Sequence, residues 1–553
     1  MPEHFSLVAR AWLPVALSDG RREFVRLRDI TSTVDGQDII RLATGRPDCD
    51  ISLTEFLIGL LAISIGPQND GEWGQRYANP PSTDELDAAL KAFEPALILD
   101  GDGPRFFQDR EALEGAATPI EALFMDVPAE HFQVEGRTKV LSRTGAALAL
   151  AALQTSAPSG GAGHRTSLRG GGPLTTLVIP GTTGGIEPTL WQRLWANVPL
   201  ALTSEPEQAA HVFPWLGPTR TSEKGGQITT PDHVHPAQAF FGMPRRIRLV
   251  FEENINQRPC DLTGLVDEVI VTGYVTRPWG TNYTAWSRGH PLSPYYKAKE
   301  ADPEFLPLHL KSSRIGYRQW LGMVTDAQKG LRVPAKCVTA FPDIAGEIED
   351  DFPDIARSAR LLVAGYAMDN MKPLDFAEAL LPLIVSSKPD VNREIKKLAH
   401  NWVQAADTVA SQLVSAVKLA LYGDSAKADR DSTPLEAVKS RFWADTENDF
   451  YDKLRAAAAS IESYSGDMAD LQLVFTPGAG AGWLACLKRQ ALAIFDDAVP
   501  VEDADSKNIK DIIDGRKLLG LMLAGYGKGG SALFELLNQP PAETKPKKGR
   551  KAA

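Results

Sequence analysis

The residue types best suited to meeting phosphate and sugar oxygens are concentrated between Gln154 and Thr176, a stretch with six glycines, two arginines and several hydroxyls. Glycine accepts positive φ and lets main chain come close to another surface. Bare N–H groups in such a loop form a concavity for anions. Arg165 and Arg169 add charge-assisted contacts to the same strand of a nucleic acid. The competing reading of this composition is a flexible surface linker. Apolar runs on both sides, Ala146–Leu153 and Leu174–Ile179, favour an ordered loop.

Other chemistries find less support. A phosphate loop needs GxxxxGK[ST], and the segment has no Gly-Lys-Ser/Thr. Nucleotide hydrolysis therefore ranks below nucleic-acid contact. No GxSxG or HExxH motif occurs. The run Glu349-Asp350-Asp351 reads as a solvated charge cluster. His233 and His235 form an HxH pair without a matching second pair of ligands. The four cysteines, Cys49, Cys260, Cys337 and Cys486, form no CxxC pair, so neither a disulfide framework nor a zinc knuckle is expected. We expect no metal and no cofactor.

Two kinds of sequence must position these groups. The 553 residues suggest two or three packed units. Up to about residue 365, short strands such as Arg245–Phe251 and Leu265–Val271 alternate with Pro/Gly turns. Helical stretches at Leu53–Ile63 and Asp84–Phe93 interrupt them. Beyond residue 373 the strands are expected to stop. Val391, Ile395, Leu398, Trp402, Ala405, Val409 and Leu413 then mark one apolar face of a long helix. Further helices are expected from Thr433, after Gly482 and over Lys507–Ala524. The fold class is α+β: a large irregular mixed domain over 1–372, a four-helix bundle over 373–535, and a disordered basic tail over 536–553.

The net charge of −11 argues against a chain that coats nucleic acid by itself, but not against a local basic groove inside an assembly. The N-terminus lacks a basic start followed by an apolar run, and no stretch is long and apolar enough to span a bilayer. A cytoplasmic protein with no membrane partner is expected.

The segment Leu168-Arg169-Gly170-Gly171-Gly172-Pro173-Leu174-Thr175-Thr176 resembles the CasA-type large subunit of the type I-E CRISPR Cascade complex. Phe5–Val15, Pro104–Asp109, Trp279–Trp286 and His290–Tyr295 resemble that family in the same order. The resemblance implies a non-catalytic subunit that checks double-stranded DNA for a protospacer-adjacent motif. It implies that the subunit opens the duplex there for guide-RNA pairing and later receives the helicase-nuclease. Its partners would be target DNA, the guide-RNA-bearing Cascade subunits and the helicase-nuclease, with the target sequence read by base pairing.

The resemblance also places functional elements. A glycine loop for the DNA minor groove falls on Ser159, Gly160, Gly161, Ala162 and Gly163, beside Arg165 and Arg169. A basic contact falls near Arg277, which reads equally as a solvated surface arginine. A strand-separating wedge falls on Asp369, Asn370 and Met371, which also suit an ordinary strand-to-helix turn. A mobile loop over Glu130–Ser142 offers Phe132 for stacking and Arg137 and Lys139 for phosphates. Some relatives carry a cysteine cluster where this chain has Pro259–Gly264 with Cys260 alone, so the resemblance brings no structural zinc. The alternative to this whole reading is a stand-alone nucleotide- or phosphate-binding enzyme that uses the glycine-rich loop.

Overall fold

A computed structural model describes residues 4–126, 136–161, 163–224, 226–311, 314–327, 329–369, 372–423, 433–466, 470, 476–500 and 509–540. Two compact units result: Met1–Ile315 with Gly322–Leu383, and Gly316–Leu321 with Ile384–Ala553.

The first unit is built around the helix Pro47–Ile65, which is apolar on nearly every side and accordingly buried along most of its length. Pro47 opens it, where a missing N–H costs nothing. The buried helix Arg143–Ser156 packs against it. Arg143 is fixed at the start of that helix by Asp267 (2.7 Å) and Asp100 (3.3 Å).

Two sheets carry the regions of interest. In one, Val269–Arg277 runs antiparallel to Arg246–Glu253, with Arg277 opposite Arg246 and Val275 opposite Arg248. The expected strand Leu265–Val271 begins later and runs further. A turn closes through Gly264 N–H to the Cys260 carbonyl (2.8 Å) and Cys260 N–H to the Leu265 carbonyl (2.8 Å). In the other sheet, Arg360–Asp369 lies between Thr175–Ile179 and Lys372–Pro382, antiparallel to both.

That last strand corrects the expectation that strands stop at 373. Pro373, Ala377 and Leu381 are buried while Leu374, Glu378 and Leu380 are exposed, so the segment has an inner and an outer face. The division between units accordingly falls at Leu383, after the hairpin, rather than at 372.

The second unit is helical. The helices Pro389–Tyr422, Thr433–Glu462, Thr476–Ala498 and Ile509–Leu523 pack together, with a shorter helix Gly527–Leu536 added. All seven residues of the expected apolar face, from Val391 to Leu413, are buried. Trp402 stacks on Trp483 at 5.8 Å. The third long helix starts at Thr476 rather than after Gly482, and Gly480 inside it lies against the Leu537 carbonyl, where a Cβ would not fit. Tyr317, from the 316–321 segment, stacks on Phe450 at 4.5 Å and hydrogen-bonds Thr446 at 2.7 Å. The basic tail expected from 536 overlaps the end of the last helix, and residues 541–553 lie outside the described residues. Among the described residues no single helix is long and apolar enough to cross a membrane.

Candidate nucleic-acid interface

The helix Arg143–Ser156 delivers the chain into the glycine-rich segment. Near its end, buried Gln154 accepts from Arg245 N–H (3.0 Å) and donates to the carbonyls of Arg245 (3.0 Å) and Phe107 (3.1 Å). Gly172 N–H donates to the Ser156 carbonyl and Ser167 N–H to the Ala157 carbonyl, each at 2.9 Å. The segment is therefore a loop closed at its base.

Its outer part is a tight turn. His164 N–H donates to the Gly161 carbonyl at 2.7 Å, and Gly160 N–H to the His164 carbonyl at 3.3 Å. Gly161 (φ 66°) and Gly163 (φ 82°) take the left-handed conformation that side chains resist. Ser159, Gly160 and Gly161 are exposed, so main chain is offered to solvent here. Ala162 lies outside the described residues.

Trp279 holds the turn from one side. Its N–H donates to the Gly163 carbonyl at 2.9 Å. A Cβ on Gly163 would lie 2.7 Å from the indole ring. Trp279 itself has φ 64°, a costly conformation for an aromatic residue, and it is 37% exposed.

The cations divide into two groups. Arg277 is exposed at the end of its strand, two residues before Trp279. Arg165 is half-buried, and its guanidinium donates to Ser222 Oγ (2.8 Å) and the Ser222 carbonyl (3.3 Å), which ties the loop to the neighbouring chain. Arg169 is the correction. It is 3% exposed, pairs with Glu55 at 2.5 Å and donates to Thr175 Oγ1 (3.1 Å) and Ser293 Oγ (2.8 Å). Its charge is spent inside the fold and is not presented to DNA.

His290 completes that buried cluster, with Nε2 at 3.6 Å from Glu55. The distance would suit an ion pair. Burial, reinforced by Arg169 and Lys336, instead holds the His290 pKa well below its ordinary value. Glu55 is already occupied by Arg169 and Thr175, so we assign His290 as neutral.

The inner end of the glycine-rich segment meets the hairpin. A Cβ on Gly172 would fall 2.8 Å from Tyr366 and 2.9 Å from the Met368 sulfur. The hairpin strands stay paired out to Asp369 opposite Lys372. Asp369 is exposed there. Asn370 and Met371, expected at the wedge, lie outside the described residues.

Partway along the hairpin, Tyr366 donates to Asp48 at 2.6 Å, and Arg46 bridges Asp48 (2.8 Å) and Asp126 (3.0 Å). These residues line a cleft of about 500 Å³ that also takes in Arg137. Two carboxylates fix the chain beside it. Glu121 accepts from Gly136 N–H (2.8 Å), and Asp261 accepts from the N–H groups of Lys139 (2.7 Å) and Val140 (2.9 Å). Arg137 and Lys139 are exposed. Phe132 lies outside the described residues. The first unit thus brings the glycine turn against Trp279, two residues beyond Arg277, and joins the same segment to the hairpin through Gly172.

Sequence reasoning misses Arg245 and Trp279, which both touch the turn. In the sequence Arg245 reads as part of a strand, and Trp279 as part of a motif without a role. The doubled Arg245-Arg246 is the available signal, since only one of the two meets an acid. Among the described residues no cluster of three or more His, Cys, Asp or Glu side chains is placed to hold a metal ion.

Comparison with known proteins gives this arrangement a family. Residues 6–494 match the family model for CRISPR-associated protein Cse1. The fold is similar to that of Cse1 from Acidimicrobium ferrooxidans, with a TM-score of 0.66, 19% identity, and coverage of 97% of this chain and 100% of that one. It is similar to CasA from Thermus thermophilus, with a TM-score of 0.65, 20% identity, and coverage of 95% and 100%. A chain of a CRISPR RNA-guided surveillance complex also matches, with a TM-score of 0.64, 17% identity, and coverage of 94% and 100%. With nearly nine-tenths of its length inside the family model, the chain belongs to the CRISPR-associated Cse1 (CasA) family.

Proposed function

We propose that this chain is the non-catalytic large subunit of a type I-E Cascade complex, and that it reads the protospacer-adjacent motif in double-stranded DNA. The observation that carries this reading is the turn of Ser159, Gly160 and Gly161, exposed main chain braced by Trp279 through Gly163. A backbone reader suits the minor groove, whose pattern of donors and acceptors is degenerate. Arg277 adds a phosphate contact beside it. The tip of the hairpin, with Asp369, Asn370 and Met371, enters the duplex and separates the strands for guide-RNA pairing. Arg137 and Lys139, with Phe132, meet nucleic acid on the side of the cleft. The opened complex then receives the helicase-nuclease.

The order of elements speaks against the stand-alone nucleotide-binding enzyme. The glycine-rich segment leaves the end of a helix and enters the strand Thr175–Ile179. A phosphate loop runs the other way, from a strand into a helix N-terminus that faces the phosphates.

The test uses the complex assembled with guide RNA and its other subunits, presented with duplexes that vary in the bases flanking the target. Motif-dependent duplex binding is expected, with no nucleotide turnover by the isolated chain. Alanine at both Asn370 and Met371 should impair binding to closed duplex more than to single-stranded target. Duplex binding that ignores the flanking bases would overturn the assignment.

A further inference from the structure

Arg245 stands immediately before the strand Arg246–Glu253, with its main chain locked to Gln154. Its guanidinium donates to the Pro158 carbonyl at the entrance to the glycine turn. A Cβ on Gly160 would lie 2.8 Å from Nη1 and 3.4 Å from Nη2. The absence of a side chain at 160 thus lets the guanidinium sit directly behind the turn's main chain.

Its neighbour shows what it lacks. Arg246 is paired with Asp109 (2.6 Å) and Glu111 (2.7 Å). Among the described residues no carboxylate comes within ion-pair distance of Arg245. Its Nε is buried without an acceptor. Burial lowers its pKa to about 10, which leaves it charged at neutral pH. His164 lies alongside, and burial together with Arg245 lowers its pKa. A half-buried cation without a counter-charge costs free energy in the free protein. The exposed face above it is Ser159, Gly160 and Gly161, which offer no negative charge. A phosphodiester seated on the turn would supply the missing counter-charge.

We propose that Arg245 is the charge behind the glycine turn, and that it both positions the turn through Pro158 and neutralises one phosphodiester of the duplex seated there. The inference rests on the DNA-reading role proposed above and names a phosphate-neutralising residue within it. Lysine would keep the charge, but it lacks the planar fork that holds Pro158 while facing an anion.

The experiment measures duplex affinity of the assembled complex across a salt series for wild type, R245Q, R245K and G163A. Each neutralised phosphate contributes about 0.9 to the slope of log K against log salt. R245Q is expected to lower that slope by about one, with the largest loss of affinity at low salt. R245K should keep the slope and lose affinity severalfold, and it keeps the test decisive should R245Q fold poorly. An unchanged slope in R245Q, with G163A still weakened, overturns the role of Arg245 and leaves the glycine turn as the reader. Equal losses by R245Q on duplex and on single-stranded target would also overturn it, as an assembly defect. Motif-independent binding by wild type overturns the reading and the inference together.

Discussion

Two arginines meet the glycine-rich segment, Arg169 from within it and Arg245 from behind it, and they have opposite surroundings. Arg169, on its inner half, is buried against Glu55, Thr175 and Ser293. Arg245, behind its outer half, is half-buried with a carbonyl and no acid. Taking a charge out of water is tolerable when the fold supplies the opposite charge. Where it does, the residue is part of the architecture. Where it does not, the residue waits for a ligand. Glycine content and arginine count are alike in the two halves, so only the counter-charge separates them.

The contrast is best broken at its most stable point. R169A should destabilise the first unit by about 3–5 kcal/mol, since Glu55 would keep a buried charge without its partner. Thermal unfolding would show this, and whatever folds should keep the wild-type salt slope for duplex binding. An R169A protein as stable as wild type would erase the distinction between the two arginines. Next is G163A, which forces a Cβ into the Trp279 ring at a residue with φ 82°. Strain of about 1–3 kcal/mol at the turn should weaken duplex binding roughly 5- to 150-fold, with single-stranded binding retained. Equilibrium binding to both substrates checks it.

The paired cluster can also be probed by pH. The folded-state pKa of His290 lies below its unfolded value, so the neutral form is the one that packs. Its contribution is complete above about pH 6.5 and is lost as pH falls through the region below. Moving from about pH 7.5 to about pH 5.5 should cost up to about 1.4 kcal/mol from this group. H290N should reduce that dependence in a series of thermal melts, because Asn can keep the acceptor that His290 Nδ1 offers Leu292 N–H at 3.2 Å. The smallest effect is expected at Arg277. R277Q should lower the salt slope by about one and leave the melting temperature unchanged. An unchanged slope would place Arg277 away from the DNA.

How far these distinctions can be read in the sequence depends on how local their cause is. The face from Val391 to Leu413 was legible because a helix repeats its buried side every three or four residues. The strand from Arg246 was legible from its alternation. The role of Arg169 was not, because its partner Glu55 lies 114 positions away. Nothing in the spacing around residue 169 announces a carboxylate on the core helix. The same holds for Tyr317, which leaves the sheet-rich region to stack on Phe450 in the helical unit. The sequence offers a turn ahead of the helical region but does not reveal the strand Lys372–Pro382, because Pro373 and Asp375 disguise the alternation that follows. The role of Trp279 depends on a left-handed backbone angle, and sequence patterns do not report such angles for aromatic residues.

Trp279 also gives the protein an optical handle. Of eleven tryptophans, it is the one with its indole open to solvent, and the other ten are buried. Within this chain, an emission change of Trp279 on adding duplex would report on the glycine turn, against ten tryptophans that are at most 7% exposed. In W279F the signal should vanish. Stopped-flow traces recorded on the unlabelled complex would then time the arrival of DNA at this one place.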